Sequence, residues 1–382
     1  METRKTYSKA AAILFLVLIF GFTGVTFVYP ERTFSENENR VLATMPEFSW
    51  EKLFSGKFMS EYETYITDQF FLRDSWIQLK VFSEMALNKQ DINGVYLGKD
   101  GYLVERHEDS KIDVEMLQKS MDRLVEFASK YANQLGSEHI KVMLVPTASE
   151  ILTEKLPAFA SGFDQNGMIN TIYEHLPEGT ALDVREILKQ HADEYIYYKT
   201  DHHWTTLGAF YAYQAWAEVM GLSVPELEDV KQTVVAEDFL GTVHSKLNVE
   251  LSNDQMHRFE LPNTPSKVKV TVDMVESFDT MYLEEYLGVK DKYSYYLDGN
   301  HGLTEISSNS EGEGTLLIIK DSYAHCFAPM TVGNYEKVYL VDFRYFNMPI
   351  SQFIKQYRVT DILVLYNAIT FATDTHTGAF LR

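Results

Sequence analysis

Residues 315–330 read "TLLIIKDSYAHCFAPM", and the reading of this stretch decides the fold. Leu316 to Ile319 are four consecutive aliphatic residues with no polar alternation, the pattern of a strand buried on both faces. Lys-Asp-Ser interrupts the run, and a helical stretch follows. The same grammar recurs in "KVYLVDFRYF" at 337–346, in "DILVLYNAITF" at 361–371 and earlier in "HIKVMLVPTASEI" at 139–151. Strands alternating with helices predict an α/β protein whose mainly parallel sheet is covered on both faces. Ligands of such sheets gather at the carboxyl ends of the strands. That rule selects the loops beginning at Thr147, Asp201, Asp321, Asp342 and Asn367.

Outward from this core the pattern is less regular. "ALDV" (181–184) and "EYIYY" (194–198) read as short strands around a helix at 184–193, the second ending at "DHHW", 201–204. Thr205 or Thr206 then caps the helix "LGAFYAYQAWAEVMG" (207–221), with Gly221 at its stop. Upstream, residues 51–88 carry helical spacing with many aromatics. "NGVYLGKDGYLVE" (93–105) reads as a hairpin, and 111–135 as an amphipathic helix. Residues 222–310 are acidic, with weak strands such as "SKVKVTVDMV", and read as an insertion or subdomain within a domain spanning 51–382.

The N-terminus sets the compartment. Residues 10–29, "AAAILFLVLIFGFTGVTFVY", carry no charge and match the thickness of a bilayer core. Arg4, Lys5 and Lys9 precede them, which keeps 1–9 cytoplasmic and sends the bulk of the chain outside. A cleaved signal peptide is the rival reading, but the apolar run is long for one and no small-x-small cleavage site follows it. The expectation is an uncleaved anchor, then a polar stalk over 30–50. The one cysteine, Cys326, excludes an intramolecular disulfide, and export without disulfides fits a Gram-positive-type surface. The formal charge is −21, and −23 beyond residue 29 because Glu2, Arg4, Lys5 and Lys9 together contribute +2. That acidity argues against nucleic acid and anionic lipid as partners.

Ser322 lies just past a buried strand and just before a helix. A nucleophilic serine gains from such a turn, which exposes Oγ near free N–H groups able to stabilise an oxyanion. An Asp or Ser in this position also serves as an ordinary helix cap. In an extended segment Asp201 and His203 would share a face while His202 points away. One carboxylate beside one imidazole is what a serine needs: a base, and an acid that orients it. Adjacent histidines rarely chelate one ion together and no HExxH spacing accompanies them, so no metal is expected. A plain core role for His202 or Trp204 stays open.

The other rim residues carry weaker signals. Arg344 could hold an oxyanion or pair with a structural carboxylate. Tyr323 could wall the site, and Asn367 could donate an amide or form a turn. Ser245 and Lys246, in "DFLGTVHSKLN", could contact substrate. Cys326 reads as a small packed residue one helical turn past Ser322.

"SENENRVLA", "DQFFLRD", "VYLGKDGYL", "TDHHWTTLGAFYAY" and "KDSYAHCFAPM", in this order along the chain, resemble the DHHW family of bacterial exported proteins. That family is similar to the acetylation proteins of alginate biosynthesis in the SGNH-hydrolase-like superfamily. The resemblance runs from about residue 31 to the end. It implies an SGNH-like α/β/α sandwich with a circularly permuted motif order. It also implies Asp201 as acid, His203 as base and Ser322 as nucleophile, with no cofactor. A membrane-bound O-acyltransferase as acyl supplier and a cell-surface polysaccharide as acceptor follow from it too. This chain shows Lys-Asp-Ser-Tyr where relatives often show Gly-Asp-Ser, and its oxyanion residues are not marked, Gly241 and Asn367 being the candidates. The function expected is a membrane-anchored O-acyltransferase. A polysaccharide acetylesterase with the same triad is the first alternative, and a non-catalytic glycan-binding or scaffold subunit the second.

Overall fold

The computed structural model describes residues 2–382, and the side chains of 2–8 and of Phe27 lie outside what is described, among them those of Arg4 and Lys5. The chain divides into two compact units, Met1–Lys89 with Leu247–Val249, and Gln90–Lys246 with Glu250–Arg382. The polar strap at 30–49 bonds to the helices that follow it. Arg40 meets Asp68 through two nitrogens (2.8 and 2.5 Å), and Gln69 spans the backbones of Arg32 and Ala43. The aromatic region forms three helices, Trp50–Phe54, Lys57–Asp68 and Arg73–Ala86. Before them runs one helix, Glu2–Val28, whose window Lys9–Thr26 is long and apolar enough to cross a membrane.

The second unit is built on a seven-stranded mixed sheet. Four parallel strands lie side by side in the order Lys337–Val341, Thr315–Lys320, Asp361–Asn367, Ile140–Val145. Three antiparallel strands, Leu303–Ser308, Val268–Val272 and Glu276–Phe278, extend it beyond Lys337–Val341. The sheet is therefore mixed and not mainly parallel. The added strands all come from the acidic stretch 222–310. A short turn joins Val268–Val272 to Glu276–Phe278, as antiparallel pairing permits, while residues 279–302 make the longer connection to Leu303–Ser308. "ALDV" and "EYIYY" contribute only single bridges, Val142 to Ala181 and Tyr197 to Trp204. Neither segment finds the run of backbone partners that a strand requires.

Period-two alternation assigns the parallel strands to two faces. Leu316, Ile318, Leu363, Leu365, Met143 and Val145 pack into one core, against the helices Thr206–Val219 and Ala324–Thr331. Leu317, Ile319, Ile362, Val364, Val142 and Leu144 pack into the other, against Val114–Leu135, Gln165–His175 and Ile350–Gln356. Full burial of such a side chain is worth about 1.5–3 kcal/mol, so the sheet centre dominates the stability of this unit. Thr205 caps its helix by accepting from the Gly208 N–H, and Gly221 stands just past the helix end at φ +67°, where glycine carries no side-chain penalty. The hairpin forms from Val95–Leu97 and Leu103–Glu105.

Candidate active site

Ser322 follows the strand Thr315–Lys320 and sits in a turn fixed by Asp321. One Asp321 oxygen accepts from the Tyr323 N–H (2.9 Å), the other from the Asn367 N–H (2.9 Å), which ties the turn to the end of the neighbouring strand. Burial raises the pKa of Asp321, opposed by those two backbone bonds. Ser322 Oγ, partly exposed, lies 2.7 Å from His203 Nε2. His203 Nδ1 lies 2.5 Å from Asp201 Oδ1. Sequence positions 119 apart thus meet in one continuous relay.

Asp201 and His203 come together through a turn, not an extended face. The His203 N–H donates to Asp201 Oδ1 at 3.0 Å, so the carboxylate folds back on its own backbone and meets the ring of the same residue. The other oxygen of Asp201 accepts from the Thr242 N–H (2.8 Å) and hydroxyl (3.1 Å). Burial alone would raise the pKa of Asp201. The charges of His203 and His202, with the bonds from His203 and Thr242, outweigh that burial and hold the carboxyl well below its usual range. The Tyr293 ring stacks on His203 at 3.8 Å and 13°, and Trp204 is anchored by its indole N–H on the Tyr323 carbonyl (2.9 Å).

Gly241 has a specific reason to be glycine. A Cβ there would stand 2.2 Å from the Asp201 Cβ. Its N–H donates to the Thr200 hydroxyl, so it is not turned toward the serine. The Asn367 side-chain oxygen caps its own helix by accepting from Ile369 and Thr370. Arg344 pairs with Asp342 (2.9 and 2.5 Å) and bonds Asn300 at 3.1 Å, the structural-carboxylate alternative for that residue. Ser245 donates back to the Gly241 carbonyl, and Lys246 pairs with Glu105. Tyr323 donates to the His202 carbonyl (2.6 Å). Cys326 is buried, its thiol pushed up to about 12 by that burial. Among the described residues, the Ser322 N–H has no hydrogen-bond partner.

A cavity of about 300 Å³ is lined by Asp201, His202, Thr242 and Asn367 together with Glu105, His107, Thr147 and Lys246. Ser322 stands outside its lining, so this hollow adjoins the Asp201 end of the relay. His202 opens onto it with 34% of its side chain exposed, yet burial and the neighbouring His203 pull its pKa down to about 4. Its Nδ1 bonds the Thr242 hydroxyl at 2.6 Å. Among the described residues, Asp201, His202 and His203 are the cluster close enough to hold a metal ion. Their geometry is spent otherwise: both His203 nitrogens, both Asp201 oxygens and His202 Nδ1 are already hydrogen-bonded.

Thr242 and Tyr293 escaped the sequence reading. Thr242 lies three positions before Ser245 in "DFLGTVHSKLN", and Tyr293 in the acidic region read as a subdomain. Neither carries a local signal, because each reaches the relay only through tertiary packing.

Fold and site define a mixed α/β protein with a serine–histidine–aspartate relay at the carboxyl end of its parallel strands. The family model described as DHHW protein matches residues 107–341, more than half of the chain, and the chain belongs to that family. A crystal structure of a DHHW family protein from Eubacterium siraeum is 25% identical, with a TM-score of 0.63, covering 75% of this chain and 95% of that one. Bacillus cereus PatB1, solved with a sulfonyl adduct, is 19% identical with a TM-score of 0.63, covering 76% of this chain and 100% of PatB1. The O-acetyltransferase domain of Pseudomonas putida AlgJ is 14% identical with a TM-score of 0.45, covering 74% of this chain and 93% of that domain. No curated protein matches the chain.

Proposed function

We propose that the chain is a membrane-anchored, extracytoplasmic O-acyltransferase of SGNH-like type that acetylates a cell-surface polysaccharide. The observation that carries this reading is the relay from Asp201 through His203 to Ser322 Oγ, with its 2.5 and 2.7 Å spacings. His203 takes the Ser322 proton as Oγ attacks the acyl carbonyl. The carbon–oxygen bond to Ser322 forms, the donor's leaving group departs with the proton from His203, and an acyl-serine remains. A sugar hydroxyl, deprotonated by the same imidazole, then attacks the ester and releases Ser322 with its proton restored. Asp201 keeps the Nδ1 proton in place and offsets the imidazolium charge in both halves. The Ser322 N–H supports the oxyanion.

The acyl group comes from a membrane-bound O-acyltransferase partner, and the apolar N-terminal helix keeps the enzyme beside it. The motif resemblance supports both parts of this reading. The test is turnover of a chromogenic acetyl ester by the full chain, by Ser322→Ala and by His203→Ala, with and without acceptor glycan. The proposal expects turnover lost in both variants and acetate appearing on the glycan. Release of free acetate alone would make the chain an esterase, and equal turnover in all three proteins would contradict the relay.

A further inference from the structure

The helix Arg73–Ala86 is turned inside out for a water-soluble unit. Leu72, Trp76, Leu79, Phe82 and Leu87 are 42–83% exposed. At 3.6 residues per turn these five fall within an arc of about 140°. Within the helix, Val81 on the opposite side is fully buried, and Asp74 there bonds Arg32 at 3.0 Å. An exposed apolar stripe of this kind marks a surface that something covers.

The position of the stripe says what covers it. Trp76 packs edge-on against Phe22 at 5.4 Å, and Phe70 stacks on the same ring at 6.3 Å. The Phe71 N–H donates to the Thr26 hydroxyl, and the Phe71 ring meets Tyr29 at 5.1 Å. Phe22 and Thr26 belong to the last turns of the membrane-length window Lys9–Thr26, none of which is buried. Phe22 lies six residues, about 9 Å at 1.5 Å per residue, before the helix end at Val28, which is the depth of the interfacial layer. The stripe therefore continues the apolar surface of the spanning helix. Tryptophan at that level is typical of the membrane–water boundary. Residues 51–89 hold six acidic and five basic side chains, so this segment lacks the acidity of the chain as a whole and is not repelled by anionic headgroups.

We propose that the exposed face of Arg73–Ala86 is seated in the outer interface of the lipid bilayer, so that the first unit holds the membrane by a spanning helix and a second helix lying in the surface. The inference rests on the anchoring reading above and adds a lipid-binding surface to it. It makes the anchor a fixed mount in place of a flexible tether.

The test uses the full chain reconstituted in phosphatidylcholine–phosphatidylglycerol vesicles, in a Trp50→Phe background. Of the four tryptophans, Trp204 and Trp216 are fully buried, so Trp76 then supplies the lipid-accessible signal. Lipids brominated near the headgroup end of the acyl chains should quench the fluorescence. The quenchable share should fall at least twofold on adding Trp76→Phe, and likewise on Leu79→Lys with Phe82→Lys, circular dichroism confirming the fold. A chain that floats with the vesicles while Trp76 escapes quenching overturns the seat and leaves the anchor standing. Trp76 reached by aqueous iodide but not by bromolipid leaves the face in water and overturns the lipid assignment. A chain absent from the floated vesicles overturns anchor and seat together.

Discussion

Two clusters of buried polar groups meet at the turn carrying Ser322, and they are wired differently. In the first, Asp201 holds His203 and His203 reaches a partly exposed hydroxyl. In the second, Lys320 bonds His325 Nε2 (2.8 Å) and approaches Asp342 (3.4 Å), which is clamped by Arg344. Burial lowers the pKa of Lys320 and takes that of His325 well below its usual value. Both clusters are dense in charge and both shift pKa values. Only the first ends on a partly exposed nucleophilic atom, while the second closes on its own carboxylate. Burial and perturbed titration are therefore not enough to mark a site, and the open end of the chain of bonds is the distinguishing feature.

The largest effects should come from opening the relay itself. Ser322→Ala or His203→Ala should reduce ester turnover by about 10³-fold or more, with the folded state intact by circular dichroism. Gly241→Ala should be next. Its methyl has no room beside Asp201, and moving that carboxylate should cost about 10²-fold in kcat, with about 1–3 kcal/mol of stability by urea unfolding. Lys320→Met separates the two clusters. It should lower stability by about 2 kcal/mol while turnover per folded molecule stays within about threefold, because Asp342 keeps Arg344. A far larger fall in kcat would make the second cluster part of the catalytic machinery. Thr242→Val removes one hydroxyl shared by Asp201 and His202, and about a tenfold fall in kcat is expected.

The pH dependence tests burial without touching the relay. His202 and His244 are both pulled from 6.5 down to about 4, chiefly by burial. On acidification the unfolded chain takes up their protons first, so their contribution is complete above about pH 6.5 and is lost as pH falls toward 4. Urea midpoints measured across that window should decline, and His244→Gln should flatten the slope without abolishing it.

The parallel half of the sheet was legible because Leu316–Ile319 and their counterparts are apolar without interruption, which only a doubly covered strand explains. The antiparallel half was not. Its strands alternate weakly, and their partners are set by backbone pairing across distant segments. Ser322, His203 and Asp201 stood out because strand-end position and short spacing are local properties. The pairing of Asp201 with His203 was anticipated for a different geometry, an extended face where the chain makes a turn. Thr242 and Tyr293 had no such marks, and between the two uses open to Arg344 the fold decides by placing Asp342 beside it.

The most direct measurement is intact-protein mass spectrometry of the full chain after brief exposure to an activated acetyl ester and acid quench. Peptide mapping then locates the adduct. An acetyl group on Ser322 in the wild type, absent from His203→Ala, is the predicted result. An adduct elsewhere, or equal labelling of Ser322 with and without His203, would contradict the account.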